Sequence, residues 1–95
     1  MNIASIIASV LENYDVKAAY VFGSTARGEA QPTSDIDLRF ECGPSITYGT
    51  LYDISQELQA VLGREVEIVT NPPQHMRASF RERIAKDEVL VYEAA

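Results

Sequence analysis

The chain has 95 residues, 46% hydrophobic and 23% charged, which predicts one small globular domain over residues 1–95 and leaves no room for a second. Its formal net charge of -6 opposes autonomous binding to nucleic acid, because that affinity comes largely from Lys and Arg side chains that neutralise phosphates. The single cysteine, Cys42, has no internal partner, the opening MNIAS lacks a signal-peptide layout, and no apolar run reaches the roughly 18 to 20 residues of a bilayer span, so we expect a cytoplasmic protein that meets no membrane.

The first quarter of the chain predicts an amphipathic helix followed by a buried strand. Apolar residues recur from Ile3 to Leu11 at the spacing of one buried helical stripe, which predicts a helix that ends near Asn13. Residues 18–22 form a short apolar run, rich in β-branched and aromatic side chains, that Gly23 stops. This run predicts the first strand.

A strand with two unlike faces and a second long helix are predicted next. In residues 35–41, apolar residues alternate with charged ones, so the strand places its apolar side chains on one face and its acids on the other. Apolar residues then recur at helical spacing over residues 51–62, and Gly63 fits a C-terminal stop.

The last third of the chain predicts a strand, a helix and a short closing strand. Residues 65–70 alternate as a third strand, which the breakers at residues 71–73 halt. Helical spacing beyond that point is marked by Met76, Phe80 and Ile84. The apolar tail at residues 89–92 is expected to pack back as a short strand. The fold class is therefore α+β, with a small mixed sheet of three or four strands flanked by about three helices.

A phosphate cradle is one interpretation of the turn after the first strand. Gly23 and Ser24 stand where a turn into a short helix would aim free backbone N–H groups at an anion. Glycine lets the backbone approach a phosphate closely, and the Ser24 hydroxyl donates one further hydrogen bond. A Gly-Ser pair taken alone is more often only a turn.

Asp35 and Asp37 lie two residues apart on the predicted second strand, so both carboxylates project from one face. Neighbouring carboxylates repel, and a bound divalent cation offsets that repulsion; such hard oxygen ligands suit Mg²⁺ bound together with substrate phosphates. Taken alone, the pair more often marks a solvated strand face. A Gly-Ser turn, a polar link that contains Arg27 and an acid pair are uncommon together, and would place phosphate donors beside metal ligands.

The segment GSTARGEAQPTSDIDL, residues 23–38, resembles the glycine-serine, alanine-arginine-glycine and serine-aspartate-x-aspartate signature of minimal nucleotidyltransferases of the polymerase-β-like superfamily. The resemblance covers nearly the whole chain, since the N-terminal helix, the strand GREVEIVT and the C-terminal RIAKDEVLVYE fall where the family has comparable elements. Members of this family are commonly the antitoxin halves of HEPN/MNT toxin–antitoxin pairs.

The resemblance implies a role for each residue of the signature. Gly23 and Ser24 would contact the triphosphate of ATP, while Asp35 and Asp37 would hold two Mg²⁺ ions as catalytic ligands. Arg27 would either touch phosphate or fix the loop through a salt bridge. The implied reaction is a two-metal displacement at the α-phosphorus, in which one cation activates the incoming hydroxyl and the other neutralises the leaving pyrophosphate.

The family's third carboxylate usually lies on the later strand, most often as aspartate, and the matching position here is Glu67. Glu65 and Glu67 point to one face of the predicted strand, and Glu67 lies deeper in it. As third catalytic acid and metal ligand, Glu67 would complete the shell of the activating cation and accept the hydroxyl proton. Its extra methylene would shift the carboxylate by about 1 Å, and misplacement on that scale costs on the order of a hundredfold in rate.

Two functions remain open from the sequence. The first is an Mg-dependent antitoxin that transfers AMP from ATP to a hydroxyl, by the resemblance a tyrosine, of a cognate HEPN ribonuclease toxin. The second is an antitoxin with an idle site, whose acidic surface masks a basic face of the toxin by contact alone. Both place the chain in a hetero-oligomer, which agrees with the marginal stability of so small a domain. Transfer to RNA or to an antibiotic is disfavoured by the acidity and by the lack of a second domain.

Overall fold

The structure of the protein is a computed structural model that describes residues 3–23, 35–70, 77–79, 82 and 88–94. Its elements, in chain order, are α1 (Ile3–Leu11), β1 (Val16–Phe22), β2 (Ile36–Cys42), α2 (Tyr48–Leu62), β3 (Val66–Val69) and β4 (Val89–Glu93). The four strands form one sheet in the order β3-β2-β1-β4. Strand β1 is antiparallel to β2 and β4, whereas β2 and β3 run parallel. A mixed sheet with helices confirms the predicted α+β class.

The two helices cover one face of the sheet. Alternate residues of β2, namely Ile36, Leu38 and Phe40, are at most 1% exposed and pack in one cluster with apolar residues of both helices. Burying side chains of this size contributes roughly 1.5 to 3 kcal/mol each. The alternation predicted for residues 35–41 is confirmed, and the opposite face of β2 carries its charged residues.

The ends of α2 are set by its caps. The Thr47 hydroxyl accepts a hydrogen bond from the Thr50 N–H at 3.1 Å, so the helix begins at Tyr48, three residues before the predicted start. Gly63 adopts φ 68°, and its N–H donates to the Gln59 carbonyl at 2.8 Å, which confirms the predicted stop. Helix α1 ends at Leu11, two residues before the predicted end. The N–H groups of Asn13 and Tyr14 donate to carbonyls three residues back, which is the bonding of a tighter turn.

The C-terminal part of the chain is described in pieces. Ala78, Ser79 and Glu82 are helical, whereas the apolar residues that predict the third helix, Met76, Phe80 and Ile84, lie outside the described residues. The predicted closing strand is confirmed as β4, which pairs with β1 at the edge of the sheet. Within the described stretches, no helix has the length and apolarity to cross a membrane.

Asp15 ties the start of β1 to the chain that leaves β2. Its carboxylate accepts hydrogen bonds from the Ser45 hydroxyl at 2.8 Å and the Ser45 N–H at 3.1 Å, and its backbone carbonyl accepts one from the Gly43 N–H at 2.8 Å. A Cβ at Gly43 would collide with this carboxylate, so a larger residue there would displace it from Ser45. The hydrogen bonds from Ser45 hold the pKa of Asp15 below its ordinary value.

The lowered pKa of Asp15 makes stability depend on pH. Its contribution should be present above the ordinary pKa of 3.8 and lost as pH falls through the lower folded-state value. We therefore expect Asp15→Asn to lower the free energy of unfolding at neutral pH, with a difference from wild type that shrinks below about pH 4. Urea unfolding at neutral pH and below about pH 4 measures this difference in the free energy of unfolding. Glu12→Gln, at an exposed acid nearby, is the control. A difference that stays constant with pH would contradict the assignment.

Candidate active site

Gly23 lies against Asp37 at the end of β1. Phe22, the last residue of β1, pairs with Asp37 on β2, and the chain then turns at Gly23 with φ 67°. A Cβ at Gly23 would lie 2.7 Å from Asp37 Oδ2. Glycine is therefore required twice over, because the backbone is left-handed and because the Asp37 carboxylate occupies the space of a side chain.

Asp37 and Glu67 are neighbours on adjacent strands. The parallel pairing of β2 with β3 places Asp37 in register with Glu67, and in-register residues of neighbouring strands project to the same face about 4.8 Å apart. Asp37 is half-buried and Glu67 is exposed. The flanking residues Ile36 and Leu38 are fully buried on the helix side. The two carboxylates thus share the face of the sheet opposite the helices, which we call the acid face.

Asp35 lies at the start of the same strand and is exposed. The Ile36 N–H donates to the Glu65 carbonyl at 2.9 Å, so the pairing of β2 with β3 begins directly after Asp35. Across the described ranges from residue 3 to residue 94, no three His, Cys, Asp or Glu side chains are grouped closely enough to hold a metal ion. The structure therefore brings Gly23, Asp37 and Glu67 together and leaves Asp35 at the edge of this group.

Two of the predicted phosphate-binding residues cannot be placed. Ser24 and Arg27 belong to the segment 24–34, outside the described residues, so their roles stay predictions. Gly23, the last described residue before this segment, lies beside the Asp37 carboxylate.

The acid face also holds a buried cation that the sequence analysis did not single out. Arg39 is 3% exposed, and it donates from Nε to Glu88 Oε2 at 3.0 Å and from Nη2 to Glu88 Oε1 at 3.1 Å. Its guanidinium lies over the Tyr20 ring, 4.5 Å from the centroid, and 3.5 Å from Glu41 Oε1. Burial acts to lower the pKa of Arg39, but the hydrogen bonds and charge of Glu88 outweigh it and hold that pKa above its usual value. The alternation of β2 could have placed Arg39 on this face, although not its partner, 49 residues away.

A groove of about 310 Å³ lies between the helices, lined by Ser5, Ile6, Ser9, Val10 and Val61. It is on the opposite side of the sheet from Asp37 and contains no titratable side chain. This groove therefore offers no side chain for acid–base or metal chemistry.

Comparison with known proteins identifies the family of the chain. The family described as polymerase beta, nucleotidyltransferase matches residues 5–95. A protein from Methanocaldococcus jannaschii, provisionally named a protein adenylyltransferase, is 38% identical over 94 residues that cover 96% of this chain and 99% of that one. The chain belongs to the polymerase beta nucleotidyltransferase family. It is accordingly a nucleotidyltransferase, and the resemblance of residues 23–38 is confirmed at the level of the family.

Solved structures share the fold of this nucleotidyltransferase. A toxin–antitoxin complex with AMP-PNP contains a chain with a TM-score of 0.76 and 19% identity, over 99% of this chain and 75% of that one. A tri-AMPylated Shewanella oneidensis HEPN toxin in complex with an MNT antitoxin has a TM-score of 0.69 and 15% identity, over 97% and 71% of the two chains. At these identities the likeness establishes the fold, and it confirms the polymerase-β-like core that the signature predicts.

Replacing Gly23 should disturb the site through one carboxylate. In Gly23→Ala the new methyl group presses on Asp37 Oδ2, and the left-handed backbone costs about 1 to 2 kcal/mol. We expect at least about tenfold weaker binding of Mn²⁺, measured by water-proton relaxation, because displaced ligands lose metal affinity.

Gly63→Ala is the matched control. Gly63 has nearly the same φ, 68°, but nothing lies within 4 Å of a Cβ there. Both variants should lose free energy of unfolding through the left-handed backbone, while only Gly23→Ala should lose affinity for Mn²⁺. Equal affinity in the two variants would contradict the close contact between Gly23 and Asp37.

Proposed function

We propose that the chain is the Mg-dependent antitoxin of a toxin–antitoxin pair, and that it transfers AMP from ATP to a tyrosine hydroxyl of a cognate HEPN ribonuclease toxin and so neutralises it. The observation that carries this proposal is the in-register pair of Asp37 and Glu67 beside Gly23, in a chain of the nucleotidyltransferase family. Carboxylates next to a glycine turn are what a nucleotide and its cation require in one place.

The choice of AMP and of a toxin as acceptor is supported by the relatives. The Methanocaldococcus jannaschii relative, which is matched over 99% of its length, bears the name of a protein adenylyltransferase. The Shewanella oneidensis complex of the same fold holds a tri-AMPylated HEPN toxin with its MNT antitoxin. The tyrosine as acceptor rests on the resemblance of the signature. The net charge of -6 favours a basic partner protein over a nucleic acid.

The residues of the acid face fit Mg²⁺. This cation is usually held by one or two carboxylates together with substrate phosphates, and Asp37 with Glu67 offers such a pair of oxygen donors. Asp35, at the exposed start of β2, would add a third carboxylate when the nucleotide arrives. When bound there, two Mg²⁺ ions would activate the acceptor hydroxyl and neutralise the charge of the departing pyrophosphate.

The chain's own residues would orient the nucleotide. Gly23 has no side chain, so its backbone N–H could be approached closely by a phosphate on the side away from the Asp37 carboxylate. Ser24 and Arg27 would donate hydrogen bonds to the phosphates. Because Glu67 is in register with Asp37, its backbone lies level with that residue. The position of its carboxylate therefore differs from that of an aspartate by the extra methylene of the side chain. Being exposed, Glu67 can accept the proton of an incoming hydroxyl.

A second function, neutralisation by contact alone, is favoured by one observation. Glu67 stands where the resemblance implies an aspartate, and its extra methylene would displace the carboxylate by about 1 Å. An antitoxin with an idle site would show the same arrangement, and it would bind the toxin through its acidic surface.

Intact mass spectrometry of the partner separates the two functions. The chain is co-expressed with the product of the neighbouring gene, as wild type and as Asp37→Asn. We expect increments of one or more AMP on the partner with the wild type, and at least about a hundredfold less with Asp37→Asn, because a displaced or missing ligand costs that much in rate.

Asp53→Asn is the control, since this exposed acid lies on α2, on the helix side of the sheet. It should modify the partner like the wild type. A partner that stays unmodified in a stable complex with all three versions would refute the transferase and support neutralisation by contact.

A further inference from the structure

Arg39 is the one charged side chain among the described residues that is buried, and the reaction proposed above assigns it no role. A buried charge is costly unless it is paired, so its position on the acid face needs an explanation. Arg39 follows Asp37 by two residues on β2, and alternation along a strand puts both side chains on the same face.

The contacts of Arg39 cross the sheet. Two parallel hydrogen bonds of 3.0 and 3.1 Å join its guanidinium to the carboxylate of Glu88, directly before β4. Strands β2 and β4 are not neighbours, because β1 lies between them. The guanidinium therefore passes over β1, where it stacks on Tyr20 at 4.5 Å. One side chain thus links β2, β1 and the residue that precedes β4.

A bulge in β4 places Glu88 on the acid face. Ala19 pairs with Tyr92 but Tyr20 pairs with Leu90, so Val91 is an extra residue. A one-residue shift in register exchanges the two faces of a strand. The residues before Val91 therefore point to the opposite face from the one they would occupy without the bulge. Continued one step beyond the last pair of β1 with β4, the register puts Glu88 beside Phe22.

Glu88 thereby joins the row of residues that contains the proposed metal ligands. Across the sheet the row reads Glu88, Phe22, Asp37 and Glu67, and its last three members are joined by the pairing of neighbouring strands. Arg39 is hydrogen-bonded to Glu88 at one end of this row, and it lies on β2, the strand that also contains Asp37. The two parallel hydrogen bonds of the guanidinium fix both the direction and the distance of this contact, which a single ammonium group would not do.

The geometry points to Arg39 as a positioning residue, which fixes Asp37 beside Glu67 by tying β2 to Glu88 across Tyr20. This inference rests on the proposed function for its consequence in catalysis. Its physical content, the placement of Asp37 toward a divalent cation, is measurable without any transfer of AMP.

The decisive variant is Arg39→Met/Glu88→Met, which removes both charges of the pair and so keeps the net charge. Replacing a buried ion pair by apolar side chains of similar length is often neutral or stabilising, so this variant should fold. Titration with Mn²⁺, followed by water-proton relaxation, is expected to show about ten- to a hundredfold weaker binding than in the wild type. Arg39→Lys, which keeps the charge but loses the fork, should lie between the two.

Tyr14→Phe is the control for a purely structural role. It removes a side-chain hydrogen bond from the Tyr14 hydroxyl to Glu57 Oε2, 2.8 Å long, that links the two helices on the other side of the sheet. This variant should bind Mn²⁺ as the wild type does. A folded Arg39→Met/Glu88→Met variant with the affinity of the wild type would overturn the positioning role.

The two proposals can fail separately. A wild type that binds Mn²⁺ but leaves its partner unmodified would refute the transferase, while the comparison of Mn²⁺ affinities would still decide the role of Arg39. A wild type that binds no Mn²⁺ would overturn both.

Discussion

The parallel pairing of β2 with β3 is the constraint on which the rest of the structure depends. Parallel neighbours cannot be joined by a tight turn, so the chain crosses over through α2, and this helix covers one face of the sheet. Register then follows from burial, because Leu38 is fully buried on the helix side and a slip of one residue would turn it to solvent. The same register sets Asp37 beside Glu67 on the other face. The acid pair is thus a by-product of packing on the opposite side.

Placing carboxylates side by side costs free energy through repulsion, and two features of the chain limit that cost. Gly23 gives the Asp37 carboxylate the space of a side chain, so that it can lie against backbone. Arg39 neutralises Glu88, the carboxylate at the far end of the same row. Asp37 and Glu67 are neighbouring carboxylates, an arrangement of oxygen donors that suits a divalent cation. Both carboxylates lie on the face of the sheet opposite α1 and α2.

Patterns with a short range in the sequence predicted most of this fold. The alternation of Ile36 and Leu38 with acids identified the acid face. Gly63 marked the end of α2 because a left-handed residue, here with φ 68°, closes the helix and glycine adopts that conformation readily. The start of α2 was predicted three residues late, since a cap formed by the Thr47 hydroxyl overrides the apolar period. The pair of Arg39 with Glu88 was not predictable, because it joins non-adjacent strands and depends on a bulge that no local pattern reveals.

The central claim, that Asp37 and Glu67 together hold the cation of the nucleotide, is tested most directly by a crystal structure grown with Mn²⁺ and a non-hydrolysable analogue of ATP. The anomalous scattering of manganese distinguishes its position from the surrounding protein, nucleotide and water. We expect a manganese peak bound at about 2.1 Å by oxygen atoms of both carboxylates, with the phosphates of the analogue beside Gly23. Manganese and nucleotide bound away from the acid face, or bound there without Glu67, would contradict it.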